Sequence, residues 1–260
     1  MRRVTNDEKP KVIEYLNQDI DNCVYMYIDA KTYDIESDTV CLWLMETENE
    51  IIGAVMKYYD SFQVYSRDLG IDIKEIKELI DEYKVSMISG PKFIIEKLED
   101  ECNEYEAIYG GVFECYPAEN PCCDRLVQKA KEEDAREIAE LLCGDSEFSK
   151  NYSVDVLARQ LEDRIRCGLG RSYYIRDGGE IVAHVATFAE TDNIAVVSGA
   201  IVDRKYRKGE YYIWISDYMS WKLGIEGKRM YAFATQKRVV AYLSEFCRFC
   251  GQYGKLVKRQ

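Results

Sequence analysis

The sequence lacks several features that large classes of protein require. Only 4 of its 260 residues are proline and 16 are glycine, which excludes collagen-like and proline-rich chains. The longest apolar run, Ile51–Met56, is far shorter than the roughly 20 residues of a membrane-spanning helix. There is one histidine, His184, and one C-x-x-C motif, Cys247–Cys250, so no second pair completes a zinc site. We therefore expect a globular protein with no membrane segment and no metal.

Positive charge is scarce, but only in the first half of the chain. The whole sequence carries 35 Lys or Arg against 47 Asp or Glu, a net charge of −12. Residues 1–120 hold 12 basic and 27 acidic residues, a net of −15, whereas residues 121–260 hold 23 and 20, a net of +3. This acidic excess predicts no nucleic-acid partner, because it repels phosphate backbones. The acidic half is either a solvated surface or a field that attracts cationic amines, and the second half can still hold an anionic ligand.

Cysteine is abundant, with 10 residues, and the compartment decides what these residues do. No apolar export segment follows the first residues, Met1–Arg3, so the sequence predicts a cytoplasmic protein. In a cytoplasm the thiols stay reduced, and we expect them to be buried as small hydrophobic side chains.

One strand–turn–strand pattern occurs twice, at residues 40–59 and 171–187. Within it, Glu50–Val55 aligns with Glu180–Val185 at a shift of 130 residues. Two helical patterns precede each copy, and helix, strand, helix and strand follow it. This repetition along the chain predicts two similar lobes.

Each lobe is predicted to belong to the α/β (α+β) class, with a mixed, mostly antiparallel sheet flanked by helices. The lobes, residues 1–120 and 121–260, are expected to meet near Pro117–Pro121, where both periodicities break. The second lobe is elaborated at one place. It has a further strand, Ile194–Val202, and then a basic loop, Asp203–Gly209, before its next helix.

Two segments of the second lobe are informative: Val196–Gly209, an apolar strand followed by a basic loop, and Glu226–Phe233, a turn followed by a strand. They resemble the fourth strand, acyl-CoA loop and fifth strand of the GNAT superfamily of acyl-CoA-dependent N-acyltransferases. Residues 124–260 cover the family pattern from end to end. The resemblance implies an N-acetyltransferase that uses acetyl-CoA as co-substrate and acylates an amine of a small molecule or protein. The first lobe then resembles a degenerate copy, since Ser61–Gly70 offers one Arg and one Gly in place of the basic loop.

The basic loop is a candidate anion site on physical grounds as well. Unpaired backbone N–H groups and the positive end of the following helix attract phosphate, and the basic side chains of the loop add to this. The resemblance places pantetheine along the strand and pyrophosphate at the loop. The predicted cofactor-binding residues are Ile201, Val202, Arg204, Arg207, Lys208, Gly209, Glu210 and Tyr211.

The loop departs from the family pattern, which has glycines at two positions near the helix start. Without gaps these positions fall on Glu210 and Tyr212; with a one-residue deletion they fall on Gly209 and Tyr211. A carboxylate at the helix start can itself occupy an anion site. The alternatives are therefore a catalytically silent GNAT-like binding module and a Fem-type aminoacyl transferase, although the latter takes its acyl group from tRNA, which the net charge disfavours.

Acyl transfer to an amine needs oxyanion donors, a base and a proton donor for the departing thiolate. The resemblance implies Tyr242, on the helix after the fifth strand, as the proton donor. Glu190 and Asp192 follow the second strand of the hairpin, and Glu190 is the predicted base. Backbone N–H groups near Val202 are the predicted oxyanion donors. His184 is expected to be a buried strand residue rather than a base.

Overall fold

The computed structural model describes residues 1–48, 50–67, 70–121, 124–149 and 152–259. These residues form two compact units. Unit 1 comprises Met1–Phe113 together with Phe233–Gln260, and unit 2 comprises Glu114–Ala232. The chain therefore passes from unit 1 into unit 2 and returns to unit 1 for its last segment.

The first part of unit 1 contains six strands, of which the first is a short edge strand, and four helices. In chain order they are β1 (Arg2–Arg3), α1 (Lys9–Asn17), α2 (Ile20–Thr32), β2 (Val40–Thr47), β3 (Glu50–Tyr58), β4 (Ser61–Tyr65), α3 (Ile73–Tyr83), β5 (Met87–Pro91), α4 (Lys92–Glu101) and β6 (Tyr105–Cys115). Local chemistry sets these boundaries. Asp72 caps α3 by accepting a hydrogen bond from the Lys74 N–H at 2.8 Å, and the helix buries Ile76 and Ile80.

Unit 2 repeats this order with a longer middle section. Its elements are β7 (Val127–Lys129), α5 (Ala135–Cys143), α6 (Ser146–Ser149), α7 (Val154–Cys167), β8 (Ser172–Asp177), β9 (Glu180–Glu190), β10 (Ile194–Val202), α8 (Tyr211–Ile225) and β11 (Arg229–Ala234). Two elements, α9 (Lys237–Phe246) and β12 (Cys247–Lys258), follow in the segment that belongs to unit 1. At the turn between β8 and β9, Gly178 and Gly179 have φ angles of 59° and 90°, which favour glycine.

Each unit contains one mixed sheet. The strand order is β1-β2-β3-β4-β5-β12-β6 in unit 1 and β11-β10-β9-β8-β7 in unit 2. Of the strand pairs described within the units, β4–β5 and β10–β11 are parallel and the others are antiparallel. The predicted fold class, two lobes with mostly antiparallel sheets and flanking helices, is confirmed.

The last strand corrects the predicted boundaries of the lobes, 1–120 and 121–260. β12 pairs with β5 in antiparallel register, from Tyr253 opposite Pro91 to Val257 opposite Met87. Its Leu256 is fully buried in the core of unit 1. Residues 233–260 therefore belong with the first unit. A sequence repeat shows which elements are alike, but it does not show which strand each one pairs with.

The described part of the chain contains reduced cysteines and no helix suited to span a membrane. Eight cysteines lie in it, all with free thiols, and Cys23, Cys41 and Cys102 are buried. Cys122 and Cys123 lie outside the described residues. Among the helices that the structure describes, none combines the length and the apolar character needed to cross a bilayer.

Candidate functional site

β10 separates from β11 halfway along its length. The two strands pair in parallel from Ile194 opposite Arg229 to Val197 opposite Ala232. β10 continues to Val202, but the described register contains no pair with β11 beyond Val197. The β11 side of Ser198–Val202 is therefore without a β11 partner. Strand backbone in this state can pair with an extended ligand.

A β-bulge interrupts β10 within this stretch. In the register with β9, Ser198 is opposite Ala186 and Ile201 is opposite His184, so Gly199 and Ala200 share one position on the partner strand. Gly199 has a φ of +64°, a left-handed conformation that glycine adopts without steric strain. Bulges bend a strand and turn its backbone groups away from the regular ladder.

The only histidine in the chain holds this bulge. The Nδ1 atom of His184 lies 2.9 Å from the carbonyl oxygen of Gly199, and a carbonyl can only accept, so Nδ1 carries the hydrogen. The ring is fully buried, as the sequence predicted, and its Nε2 atom has no hydrogen-bond partner among the residues that the structure describes. Burial lowers the pKa of His184 to about 4, against a smaller opposing effect of the Gly199 bond. The ring is therefore neutral near pH 7.

The loop after β10 is held by its own first residue. Asp203 accepts a hydrogen bond from the Lys205 N–H at 2.8 Å and so begins a short 3₁₀ turn, Arg204–Tyr206. The side chains of Arg204, Lys205 and Lys208 are exposed, and none of them forms an ion pair with the described residues. Three positive charges are thus available to a ligand.

Arg207 differs from these three basic side chains. Its Nε atom donates to the carbonyl of Val202 at 3.1 Å, and its guanidinium lies 3.3 Å from the carboxylate of Asp145. These contacts tie the loop back to the end of β10 and to the residue before α6. Arg207 therefore orders the loop in this structure, although the sequence predicted it as a phosphate ligand.

The N-terminus of α8 follows the loop directly. Its N-cap residue is Glu210, whose side chain makes no capping hydrogen bond. The side chain of Tyr211 is turned toward the β8–β9 hairpin, where its hydroxyl donates to Asp177 at 2.7 Å. Neither side chain caps the first turn of α8, so the positive helix end remains a site for an anion.

The structure brings all eight predicted cofactor-binding residues together on one continuous stretch of unit 2. Ile201 and Val202, at the end of β10, have buried side chains and can contribute their backbone groups only. The other six form the loop and the start of α8: Arg204, Arg207, Lys208, Gly209, Glu210 and Tyr211. Binding of acyl-CoA by these residues stays a prediction.

Glu190 lies in an ion-pair network at the opposite end of β10. It accepts hydrogen bonds from Lys228 at 2.6 Å, from Thr187 at 2.8 Å and from Arg171. Burial alone raises the pKa of Glu190, but the bonds from Arg171, Lys228 and Thr187 outweigh it and hold the pKa below its ordinary value. A carboxylate in this state is a weak proton acceptor.

The position of Glu190 also counts against its predicted role as the base. Glu190 on β9 is opposite Ala195 on β10, and Ala195 lies four residues before the bulge at Gly199. At about 3.3 Å per residue, that corresponds to roughly 13 Å along the strand. Asp192, the other predicted candidate, is exposed in the turn at this same end.

A cavity of about 880 Å³ opens beside the Glu190 network. It is lined by residues at the ends of β7, α7 and α8 and at the start of β8, among them Lys129, Arg171, Tyr218 and Lys222. The cavity thus lies by the beginning of β10, whereas the basic loop follows the end of that strand. Its charged groups are largely paired with one another: Arg171 bonds Glu190 and Glu226, and Lys222 lies 3.6 Å from Glu226.

Tyr242 lies on α9, in the segment that belongs to unit 1. Its side chain is 39% exposed, and its ring centroid is 4.9 Å from that of Phe246. No residue of α9 is fully buried. An exposed phenol can meet a substrate, and the role of Tyr242 as proton donor stays a prediction.

The corresponding place in unit 1 is closed. There β4 pairs in parallel with β5 from Ser61 to Gln63, and the Gly90 backbone of β5 still lies against the Val64 carbonyl of β4, so these strands stay close together. The cavity beyond them is only about 30 Å³ and is lined in part by Tyr65, Phe233 and Tyr253. This volume holds no more than a few water molecules. Asp68 and Leu69, which belong to the segment compared with the basic loop in the sequence, lie outside the described residues.

The bulge and its histidine are the features that sequence reasoning missed. The signal was present, because Gly199 interrupts the β-branched and small residues of Ile194–Val202. An isolated glycine within a strand pattern indicates a bulge or a close backbone approach. The bond from His184 could not be read from the sequence, since it depends on the register between β9 and β10.

No protein-family model and no curated protein sequence matches the chain. Solved structures do match its fold. A protein from Drosophila has a TM-score of 0.68 at 12% identity, covering 99% of this chain and 98% of that one. A GCN5-related N-acetyltransferase-like protein from Streptococcus suis has a TM-score of 0.61 at 9% identity, covering 96% and 100%. A tandem GNAT protein from the clavulanic acid biosynthesis pathway has a TM-score of 0.57 at 12% identity, covering 97% and 96%. Identities this low show the fold alone, and the fold is that of a tandem GNAT protein.

Proposed function

We propose that the protein is an N-acetyltransferase that moves an acetyl group from acetyl-CoA to an amine of a small molecule or protein. One observation carries this proposal. In unit 2 a strand that has left its parallel partner, and that is bulged at Gly199, runs directly into a basic loop and an uncapped helix end. This combination offers backbone pairing and an anion site on one continuous surface.

The parts of acetyl-CoA match the parts of this surface. The amides of pantetheine can pair with the backbone of Ser198–Val202, which has no β11 partner. The pyrophosphate can accept hydrogen bonds from the first turn of α8 and lie beside Arg204 and Lys208. Unit 1 does not offer the same surface, because the cavity beside its strands β4 and β5 has a volume of only about 30 Å³.

Residues of the chain would assist the transfer at two steps. The amine nitrogen attacks the thioester carbonyl, the C–N bond forms and the C–S bond breaks, and the oxygen carries negative charge in between. The proton that the nitrogen loses goes to water, and water can later return a proton to the group that protonates the sulfur. Backbone N–H groups of the bulged stretch, Gly199–Val202, can stabilise that oxygen. Tyr242 can supply the proton that the sulfur needs, since a phenol is a neutral donor. Glu190 has no part in this proposal, because its carboxylate is already bound by Arg171 and Lys228.

Calorimetry on the full chain tests the binding half of the proposal. The variant Arg204→Gln/Lys208→Gln should weaken CoA binding about tenfold or more, as expected when two charged contacts to phosphate are lost. The control Lys129→Gln/Lys131→Gln removes the same charge from exposed positions at the far end of unit 2 and should leave the affinity unchanged. Wild-type chain that binds neither CoA nor acetyl-CoA at millimolar concentration would overturn the proposal.

Turnover separates an enzyme from a silent binding module. Free CoA thiol can be followed in the presence of acetyl-CoA and a panel of aliphatic, aromatic and peptide amines. The proposal expects amine-dependent release of thiol above the rate of acetyl-CoA hydrolysis. Tight binding of acetyl-CoA with no acceptance of any amine would favour the binding module.

A further inference from the structure

We propose that His184 is a positioning residue for acyl transfer, because its Nδ1–H group holds the Gly199 carbonyl and so fixes the bulge that faces the thioester. The inference rests on the proposed function and extends it to a residue that does not touch the substrate. It is carried by three observations in unit 2: the hydrogen bond, the left-handed glycine and the separation of β10 from β11.

The imidazole supports the bulge by contact as well as by its hydrogen bond. A Cβ atom built on Gly199 would lie 3.3 Å from Cε1 and 3.4 Å from Nδ1 of His184, so the ring lies directly against the glycine backbone. A Leu142 methyl group lies 3.5 Å from that same position. The ring and the apolar side chain therefore fill the space next to the glycine, which leaves its backbone little room to move in that direction.

His184 places a polar ring at a fully buried position of β9. The Nε2 atom of His184 is a buried acceptor for which the described part of the chain provides no partner. This is unfavourable, and an apolar side chain would avoid that penalty. The ring is surrounded in the ladder by Tyr174 on β8 and Ile201 on β10. Within the described residues, the one polar contact of the His184 ring is its hydrogen bond to the Gly199 carbonyl. This contact therefore accounts for a polar group in an otherwise apolar core.

The bulge serves a different part of the cofactor from the basic loop. Phosphate groups are recognised at Arg204–Tyr211, whereas backbone groups at Gly199 and Ala200 face the position of the thioester in the proposed binding mode. Loss of the His184 bond should therefore weaken recognition of the acetyl group and leave recognition of the phosphates intact. The ratio of the affinities for acetyl-CoA and CoA measures this difference without any knowledge of the acceptor amine.

Two variants test the inference by calorimetry with acetyl-CoA and CoA on the full chain. His184→Leu removes the donor and keeps an apolar group in the core. It should reduce the preference for acetyl-CoA over CoA by about two- to tenfold, the value of one neutral hydrogen bond, while the affinity for CoA changes less than about twofold. His184→Asn keeps an N–H donor at the place of Nδ1 and should recover most of the preference. A merely structural role would instead lower both affinities together with the melting temperature.

The outcomes distinguish this inference from the proposed function. A wild-type chain that binds neither molecule overturns both. A wild-type chain that binds both, but with no preference for acetyl-CoA, or a His184→Leu variant with the wild-type preference, overturns the inference alone. A further measurement needs no ligand: ¹⁵N NMR of the imidazole in the wild-type chain should show hydrogen on Nδ1 and none on Nε2. The opposite tautomer would overturn the inference even if the variants were poorly folded.

Discussion

The hydroxyl of Tyr211 donates a 2.7 Å hydrogen bond to the carboxylate of Asp177 and so joins the start of α8 to the β8–β9 turn. The ring lies between Tyr206 and Trp214, with centroid distances of 5.8 Å and 5.3 Å. The bond to Asp177 raises the pKa of the Tyr211 phenol. Tyr211 aligns with a position where the family pattern has glycine. Its large side chain is directed to the β8–β9 turn and does not cover the N-terminus of α8.

Tyr211→Phe should keep the edge-to-face ring contacts and remove only this hydrogen bond. We expect faster amide hydrogen exchange in the first turn of α8, because its attachment to the hairpin is lost, and little change in melting temperature. Asp177→Ala should have a similar effect, and the double variant should be no worse than either single one, since both remove the same interaction. Fully additive effects in the double variant would contradict the expectation.

Tyr242→Phe tests the predicted proton donor. The substitution keeps the ring against Phe246 and removes the hydroxyl, so folding and CoA affinity should be unchanged. Loss of a general acid typically slows the reaction by about 10²–10⁴-fold, and we expect a decrease of that size in amine acetylation. Tyr116→Phe, at a tyrosine that is 64% exposed, is the matched control. Acetylation by the Tyr242 variant at the wild-type rate would exclude this role.

The stability of the protein should fall in mild acid through His184. Burial lowers its pKa to about 4 from an ordinary value of 6.5, so the unfolded chain binds this proton more tightly than the folded chain. The neutral His184 ring makes its full contribution to the free energy of unfolding above pH 6.5, and this contribution is lost as the pH falls toward 4. It amounts to about 3 kcal/mol at most.

Urea unfolding at pH 7.5 and pH 5 measures this effect. Carboxylates also titrate in this range, so the informative quantity is the difference between the wild type and His184→Leu. The chain has no other histidine, and the variant should therefore lose less stability between the two pH values than the wild type. Equal losses in the two proteins would show that the imidazole does not contribute.

The Arg171 network should stabilise unit 2 rather than act in catalysis. The Arg171 side chain is only 18% exposed and pairs with both Glu190 and Glu226. Arg171→Met would leave two partly buried carboxylates short of a counter-charge, and we expect a loss of about 2–4 kcal/mol in the free energy of unfolding. Arg136→Met, at a side chain that is 65% exposed and pairs with Glu140, should cost less than about 1 kcal/mol.

The variant Glu190→Gln distinguishes a structural role of Glu190 in this network from the role of catalytic base. If it stabilises the fold, Glu190→Gln should lower the melting temperature and leave the affinity for acetyl-CoA unchanged. If it is the base, the variant should instead keep its melting temperature and lose acetylation, with the loss confined to the pH range where the amine must be deprotonated. We expect the first result, because Lys228 and Arg171 already bind the carboxylate.

Local sequence patterns predicted the elements of the site well. β10 was expected at Ile194–Val202 and is found there, and the loop expected at Asp203–Gly209 follows it and leads into α8. Such features depend on residues a few positions apart, whose side chains either fit a helix or strand or do not.

Features that depend on long-range pairing were not predicted. The ion pair between Arg171 and Glu226 joins residues 55 positions apart, and its members read as ordinary solvated charges in the sequence. The bond from His184 to Gly199 requires the β9–β10 register to slip at the bulge, which periodicity does not specify. The separation of β10 from β11 also follows from strand geometry in three dimensions. The sequence therefore predicted the position of the basic loop, but it did not predict the bulge in β10 or the separation of β10 from β11.

The return of β12 to unit 1 has a consequence for biosynthesis. Its pairing with β5 joins Tyr253 to Pro91, so one strand position in the first sheet stays vacant until synthesis has passed Val257. Unit 2, in contrast, is one uninterrupted stretch, Glu114–Ala232. Translation from the N-terminus thus releases a complete second unit before the first can close. During that interval the edges of β5 and β6 are exposed to pairing with other chains, and a ribosome stalled within β12 would leave the first unit aggregation-prone.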